Sequence, residues 1–148
     1  MKKVLILSAI AIISISVFFS SCNKQTDYQP SMAGTIDSIA FSAAGTGIVA
    51  TVDGGTLTMT GTTTIFTPGT AFTPAIKIVC SSANGVHSIA PNGASAIVYT
   101  SATGSNGSPA VSGQINVLNN ASGKIQGNFT FTAADGTTVT NGQFIAKD

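Results

Sequence analysis

The chain has no Arg, no Glu and no Trp, and a single His among its 148 residues. Lys is therefore the only strong base and Asp the only acid. Lys2 and Lys3 sit at the extreme N-terminus, and beyond them four Lys face five Asp. Nucleic-acid binding needs basic side chains that displace counterions from phosphates, so this balance excludes nucleic acid as a partner. The five Asp are dispersed and form none of the D-x-D pairs that hold calcium. A hydrolytic triad needs a nucleophile, a base and an orienting group, and His87 lies in no motif that supplies the other two. The expectation is a non-enzymatic protein without catalytic residue or cofactor, in which His87 is a loop or strand-edge residue.

Cysteine is also scarce, at positions 22 and 80. Residues 76–80 alternate, with Ile76, Ile78 and Cys80 on one face, so Cys80 reads as a small core residue. Zinc sites usually take three or four protein ligands. Cys80 and His87 have only scattered Asp to complete such a set, so no metal site is assigned.

Only one long apolar run exists, and it is N-terminal. Lys2 and Lys3 precede an uncharged stretch at 4–19, and Ser20 and Ser21 then lead to Cys22. Positive start, apolar core and small residues are the layout of a secretory signal peptide. As a helix that core is about 24 Å long at 1.5 Å per residue, short of a bilayer core of roughly 30 Å. The junction Phe19-Ser20-Ser21-Cys22 resembles the lipobox of bacterial lipoproteins, with Phe in place of the preferred Leu. That resemblance implies cleavage before Cys22 and acyl chains, such as palmitate, carried on it. Two or more chains make such an anchor stable, at about 0.8 kcal/mol per buried CH₂. Residues 1–21 are then a signal peptide and 22–31 a lipidated Cys followed by a polar tether. Residues 32–148 form one domain. Asn23, in place of the Asp associated with inner-membrane retention, favours the outer membrane; the facing is left open.

Helix formers are rare in this domain. Leu occurs there only at 57 and 118, and no 3.6-residue apolar period persists. Short runs of Thr, Val, Ile and Phe alternate with Gly, Asn and Pro, as strands and turns require. Strands are expected at 34–36, 39–42, 48–52, 56–60, 75–80, 86–89, 95–100, 111–118, 124–132 and 138–146. Val111, Ile115 and Val117 are expected on one face, and Gly113, Gly127 and Ala133 face inward. In the last strand Val139 and Phe144 have opposite parity, so both reach the core only if a bulge near Asn141-Gly142 shifts the phase. The expected fold is all-β: a single antiparallel domain of about nine short strands, arranged as an up-and-down barrel, with a two-sheet sandwich as the alternative.

Five further positions attract functional readings. Asp53 and Asp135 precede Gly and are expected in turns. Phe66-Thr67-Pro68 and Phe72-Thr73-Pro74 repeat within 61–74, where proline excludes a central strand. Phe66 and Phe72 there are weak candidates for contacting an apolar or sugar ligand, against the plainer role of plugging a barrel end. Ser38, in Asp37-Ser38-Ile39, resembles a three-residue O-glycosylation site of exported proteins, against a plain hairpin turn.

The chain as a whole resembles an uncharacterised domain family of small Gram-negative lipoproteins. The stretches that carry this are Ala33-Gly34-Thr35-Ile36-Asp37-Ser38-Ile39-Ala40-Phe41, Leu57-Thr58-Met59-Thr60-Gly61 and residues 94–104. Val111-Ser112-Gly113-Gln114-Ile115-Asn116-Val117, Gly123-Lys124-Ile125-Gln126-Gly127-Asn128-Phe129-Thr130-Phe131 and Val139-Thr140-Asn141-Gly142-Gln143-Phe144 complete it. Asp37-Ser38 departs from the family's usual Asp-Gly, which leaves the turn type open. The resemblance implies an all-β envelope lipoprotein and no activity. Two roles follow as expectations: a structural or protein-interaction module facing another envelope protein, or a barrel binding a small apolar or glycan ligand. A hollow interior would indicate the second, and a filled one the first.

Overall fold

A computed structural model describes residues 28–67, 70–100 and 107–147, and for 66–72 the backbone alone. Residues 1–27, with the expected signal peptide and Cys22, lie outside the described residues. Twelve strands follow in order: β1 Ser31–Ile36, β2 Ile39–Ala44, β3 Ile48–Asp53, β4 Thr56–Thr62, β5 Ile65–Thr67, β6 Thr70–Phe72, β7 Ala75–Ser81, β8 Gly85–Ser88, β9 Ser95–Tyr99, β10 Ser108–Ala121, β11 Lys124–Ala133 and β12 Thr138–Lys147. Among the described residues there is no α-helix; a 3-10 turn at Gly45–Gly47 joins β2 to β3.

The main sheet runs β2-β1-β12-β11-β10-β9-β7-β4-β3, and every neighbouring pair is antiparallel. Terminal strands β1 and β12 pair, Ser31 opposite Ile145 and Ile36 opposite Val139. The result is an up-and-down ring of nine strands, nearly closed into a barrel. Only the junction between β2 and β3 lacks a hydrogen-bonded ladder among the described strands. Side chains span that side instead: a methyl added to Gly61 of β4 would meet both Met32 of β1 and Ile48 of β3 at about 3 Å.

Three strands depart from the expected meander. β8 is not a rung of the ring but lies along β10, with Gly85–Ser88 opposite Val117–Gln114. The proline-flanked segment 61–74 contains a small separate hairpin, β5 with β6, rather than a bare loop. Pro74 fits because it precedes β7, outside any central ladder.

Alternation sets the core. Leu57 and Met59 of β4, Ile76 and Ile78 of β7, and Ile125, Phe129 and Phe131 of β11 all face inward and are buried. On β11 the opposite face carries Gln126, Asn128 and Thr130, as the period of two requires. In β12 both Val139 and Phe144 are buried, so the phase does shift. Phe129 pairs with Gly142, but Phe131 pairs with Val139, which places one extra residue on β12. Asn141, at φ 52°, takes the left-handed conformation, a role Asn fills better than most non-glycine residues. Gly142 is needed for space instead: a Cβ there would stand 2.5 Å from the Phe129 ring and carbonyl oxygen.

The same device corrects the reading of β10. Val111 does not join Ile115 and Val117; it is 63% exposed, while they are buried. The register slips between Ala110 and Ser112, and again between Val117 and Asn119. Each slip turns one apolar residue outward, Val111 at the first and Leu118 at the second. Gly113 likewise is exposed rather than inward, with φ 132° and its α-carbon close against β11. Gly127 and Ala133 are buried and inward as expected.

Tight turns explain why the hairpins close. Asp37 and Ser38 have φ 43° and 74°, Gly54 and Gly55 have 53° and 79°, and Ser122 and Gly123 have 56° and 73°. Positive φ at both central residues defines a type I′ turn, whose twist matches that of the strands. The turn left open in the sequence is therefore type I′, with Ser38 in a conformation that favours glycine.

Two stability outcomes follow. Gly142→Val should cost about 3 kcal/mol, the upper range for overpacking, whereas Asn141→Gly should be tolerated; thermal melts of both check this. Ser38→Gly should stabilise the fold by about 0.5–1 kcal/mol, because it removes a left-handed non-glycine residue. A lowered denaturation midpoint for Ser38→Gly would contradict the turn assignment.

Candidate functional site

Cys80 and His87, weighed together above as metal ligands, both line one solvent-open concavity of about 560 Å³, together with Gly54, Gly55, Asn92 and Gly93. The hairpin turn after β3 reaches this wall because Ser82 donates from both its N–H and its hydroxyl to the Gly55 carbonyl, at 2.8 and 3.1 Å. Asn120 of β10 donates to the Ser82 carbonyl at 2.9 Å and fixes the other side. His87 Nε2–H donates to the Ala83 carbonyl at 2.8 Å, so that nitrogen is committed to the loop. Burial pushes the Cys80 thiol up from 9.0 to about 11. A thiol held neutral is a poor nucleophile and a poor metal ligand. Among the described residues no three His, Cys or Asp side chains converge on a metal position. Cys80 is thus a core residue of β7, opposite Leu57 of β4.

The aspartates hold turns. Asp37 Oδ1 accepts from Thr138 N–H at 2.7 Å and from Thr138 Oγ1–H at 3.0 Å, while Asp37 N–H donates back to the Thr138 carbonyl. The first hairpin is thereby tied to the start of β12. Asp135 accepts from the Thr137 N–H at 2.9 Å, which holds its carboxyl below the usual range. Asp53 ends β3 directly before the Gly54-Gly55 turn. Ser38 is exposed at the tip of its turn. Phe66 and Phe72 fall in the β5–β6 hairpin, opposite Ala71 and Ile65; their side chains lie outside the described residues.

Two surfaces went unrecognised in the sequence because each is assembled from distant strands. One is a shallow concavity of about 380 Å³ on the outer wall, where Gln126, Asn128 and Gln143 surround Leu118 and Ile145. Asn128 stands between Asn116 and Gln143 in the ladder, so an uncharged row of amides crosses three strands. The other is the pair of free edges at β2 and β3. No charged side chain occurs from residue 39 to residue 52, and Val49 on β3 is 66% exposed. Natural sheet edges are usually blunted by Lys, Pro or bulges; these two are not.

Around Gly127 and Gly61 the interior is closely packed. A Cβ on Gly127 would stand 2.6 Å from the Phe144 ring, and one on Gly61 would meet Met32 and Ile48. Inward glycines thus make room for neighbouring side chains rather than for a cavity.

Comparison with protein-family models, curated proteins and solved structures finds no match to this chain.

Stability should reveal the burial of Cys80. Its folded thiol titrates higher than the unfolded one, so its contribution is whole below pH 9.0 and is lost as pH rises toward about 11. The stability difference between wild type and Cys80→Ala should shrink across that window. A difference that is constant with pH would place the thiol in water.

Proposed function

We propose that this chain is a lipid-anchored, non-enzymatic module of the bacterial cell envelope that docks another envelope protein along the open edges of β2 and β3. The observation that carries the reading is the gap in the ring: two adjacent edges with unblunted, uncharged sequence. An extended segment of a partner can add to such an edge through main-chain hydrogen bonds, with side chains supplying selectivity. The close packing of Phe144, Met32 and Ile48 against the inward glycines Gly127 and Gly61 supports an interaction role over a ligand-holding barrel. Anchoring rests on the Lys2–Lys3 start, the apolar 4–19 run and the Phe19-Ser20-Ser21-Cys22 junction. The resemblance to small Gram-negative lipoproteins agrees with it, and Asn23 favours the outer membrane.

A photo-crosslinking residue at position 49, introduced in whole cells, should give a discrete protein adduct. Adding Ser42→Lys on the facing edge should abolish that adduct without lowering the melting temperature. An adduct that persists with Ser42→Lys contradicts edge docking. Separately, Cys22→Ala should release the folded domain from the membrane fraction, and its quantitative retention would contradict the lipid anchor.

The second reading, binding of a neutral glycan, is favoured by the amides Gln126, Asn128 and Gln143, which line the outer-wall concavity together with Leu118 and Ile145. Amides pair well with sugar hydroxyls because each supplies both donors and acceptors.

A further inference from the structure

Four Asn-Gly pairs occur in the chain, at Asn84, Asn92, Asn106 and Asn141. In this dipeptide the amide nitrogen of Gly can attack the Asn side-chain carbonyl with no Cβ in the way. The nitrogen–carbon bond closes a succinimide, ammonia leaves with the proton released from the Gly nitrogen, and water then opens the ring to Asp or isoAsp. Whether a pair reacts in a folded chain depends on whether its Gly can reorient.

Three of the four pairs are described, and their surroundings differ. Gly93 donates its N–H to the Ala90 carbonyl at 3.0 Å, and a Cβ there would stand 2.7 Å from the Ser88 carbonyl oxygen. Gly142 is buried inside β12 between β1 and β11, against the Phe129 ring. Gly85 is different. It is exposed, it is the first residue of the short strand β8, its φ is 135°, and a Cβ added to it would meet nothing within 4 Å. Asn84 before it is exposed too, and strand ends are where local opening costs least.

We propose that Asn84-Gly85 is a spontaneous modification site whose conversion to isoAsp releases β8 from β10. In isoAsp the main chain runs through the side-chain carbon, adding one methylene immediately before Gly85. β8 holds β10 by only four paired residues, Gly85–Ser88 against Val117–Gln114, and a backbone atom added next to Gly85 displaces the residue that opens this short ladder. Release uncovers the β10 edge from Gln114 to Val117, which makes Asn84 a slow timer on a second strand edge. Gly93 is crowded by the Ser88 carbonyl and sits inside a closed turn, whereas Gly85 opens a short ladder with free space around it, so its local opening costs less.

The test incubates the mature chain at neutral pH, folded and in urea. Peptide mapping with electron-transfer fragmentation separates Asn, Asp and isoAsp at each site. Folded, Asn84 should convert about tenfold faster than Asn92 and Asn141, the factor for a difference of about 1.4 kcal/mol in local opening, and in urea the three rates should converge. Equal rates in the folded chain, or an unchanged ranking in urea, would overturn the site. The isoAsp84 fraction should lose hydrogen-exchange protection at residues 114–117, whereas Asn84→Asp, which carries the charge without the methylene, should keep it. Protection retained in isoAsp84, or lost equally in Asn84→Asp, would overturn the release.

Discussion

Two cross-strand pairs between β11 and β12 set the geometry on which the rest depends. Gly127 faces Phe144 and Phe129 faces Gly142, so each ring lies in the space that the opposite glycine leaves empty. The Phe129 and Phe144 centroids are 6.4 Å apart, and Phe131 stacks beside Phe129 at 6.2 Å. Three aromatic rings thereby enter a narrow interior without forcing the strands apart, and aromatic contacts add to their burial. The bulge at Asn141 is part of the same solution. Without the extra residue Phe144 would point to solvent once Val139 pointed in.

Ring closure follows from this. β12 receives β1 on its other edge, with Met32 opposite Phe144, and Met32 reaches across to Gly61 and Ile48 on the far side. Asp37 ties the first hairpin to Thr138. The N-terminal and C-terminal strands are therefore fixed to one another, and the free ladder edges fall at β2 and β3. A barrel abolishes edges by closing completely. This one keeps a pair, with the Gly45–Gly47 turn leading from one to the other; Gly47 there lies so near Thr62 that a Cβ would stand 2.6 Å from its carbonyl oxygen.

Much of this is legible in the residues, and the limit has a physical cause. Alternation along 124–132 identifies the inward face of β11, and the parity conflict between Val139 and Phe144 locates the β12 bulge. Gly142 is singled out correctly, although Asn141 takes the positive φ and Gly142 supplies space. Val111 misleads because a bulge reverses parity, and nothing in the local pattern VSGQINV marks where β11 slips past it. The Asp53-Gly54-Gly55 turn is evident, whereas the docking of β8 on β10 is not, since it depends on which edge remains free. The concavity at Cys80, the amide row and the β2–β3 gap share that difficulty. Each is created by strands distant in the chain, and period and turn chemistry speak only of neighbours.

If the β2 and β3 edges are the working surface, they should be the part of the domain that changes between the isolated protein and its native setting. Amide hydrogen exchange, measured on the purified protein and on the same protein in intact cell envelopes, compares the two directly. Residues 39–44 and 48–53 should gain protection in the envelope, while β11 and β12 stay equally protected in both. Unchanged exchange at both edges would contradict the account.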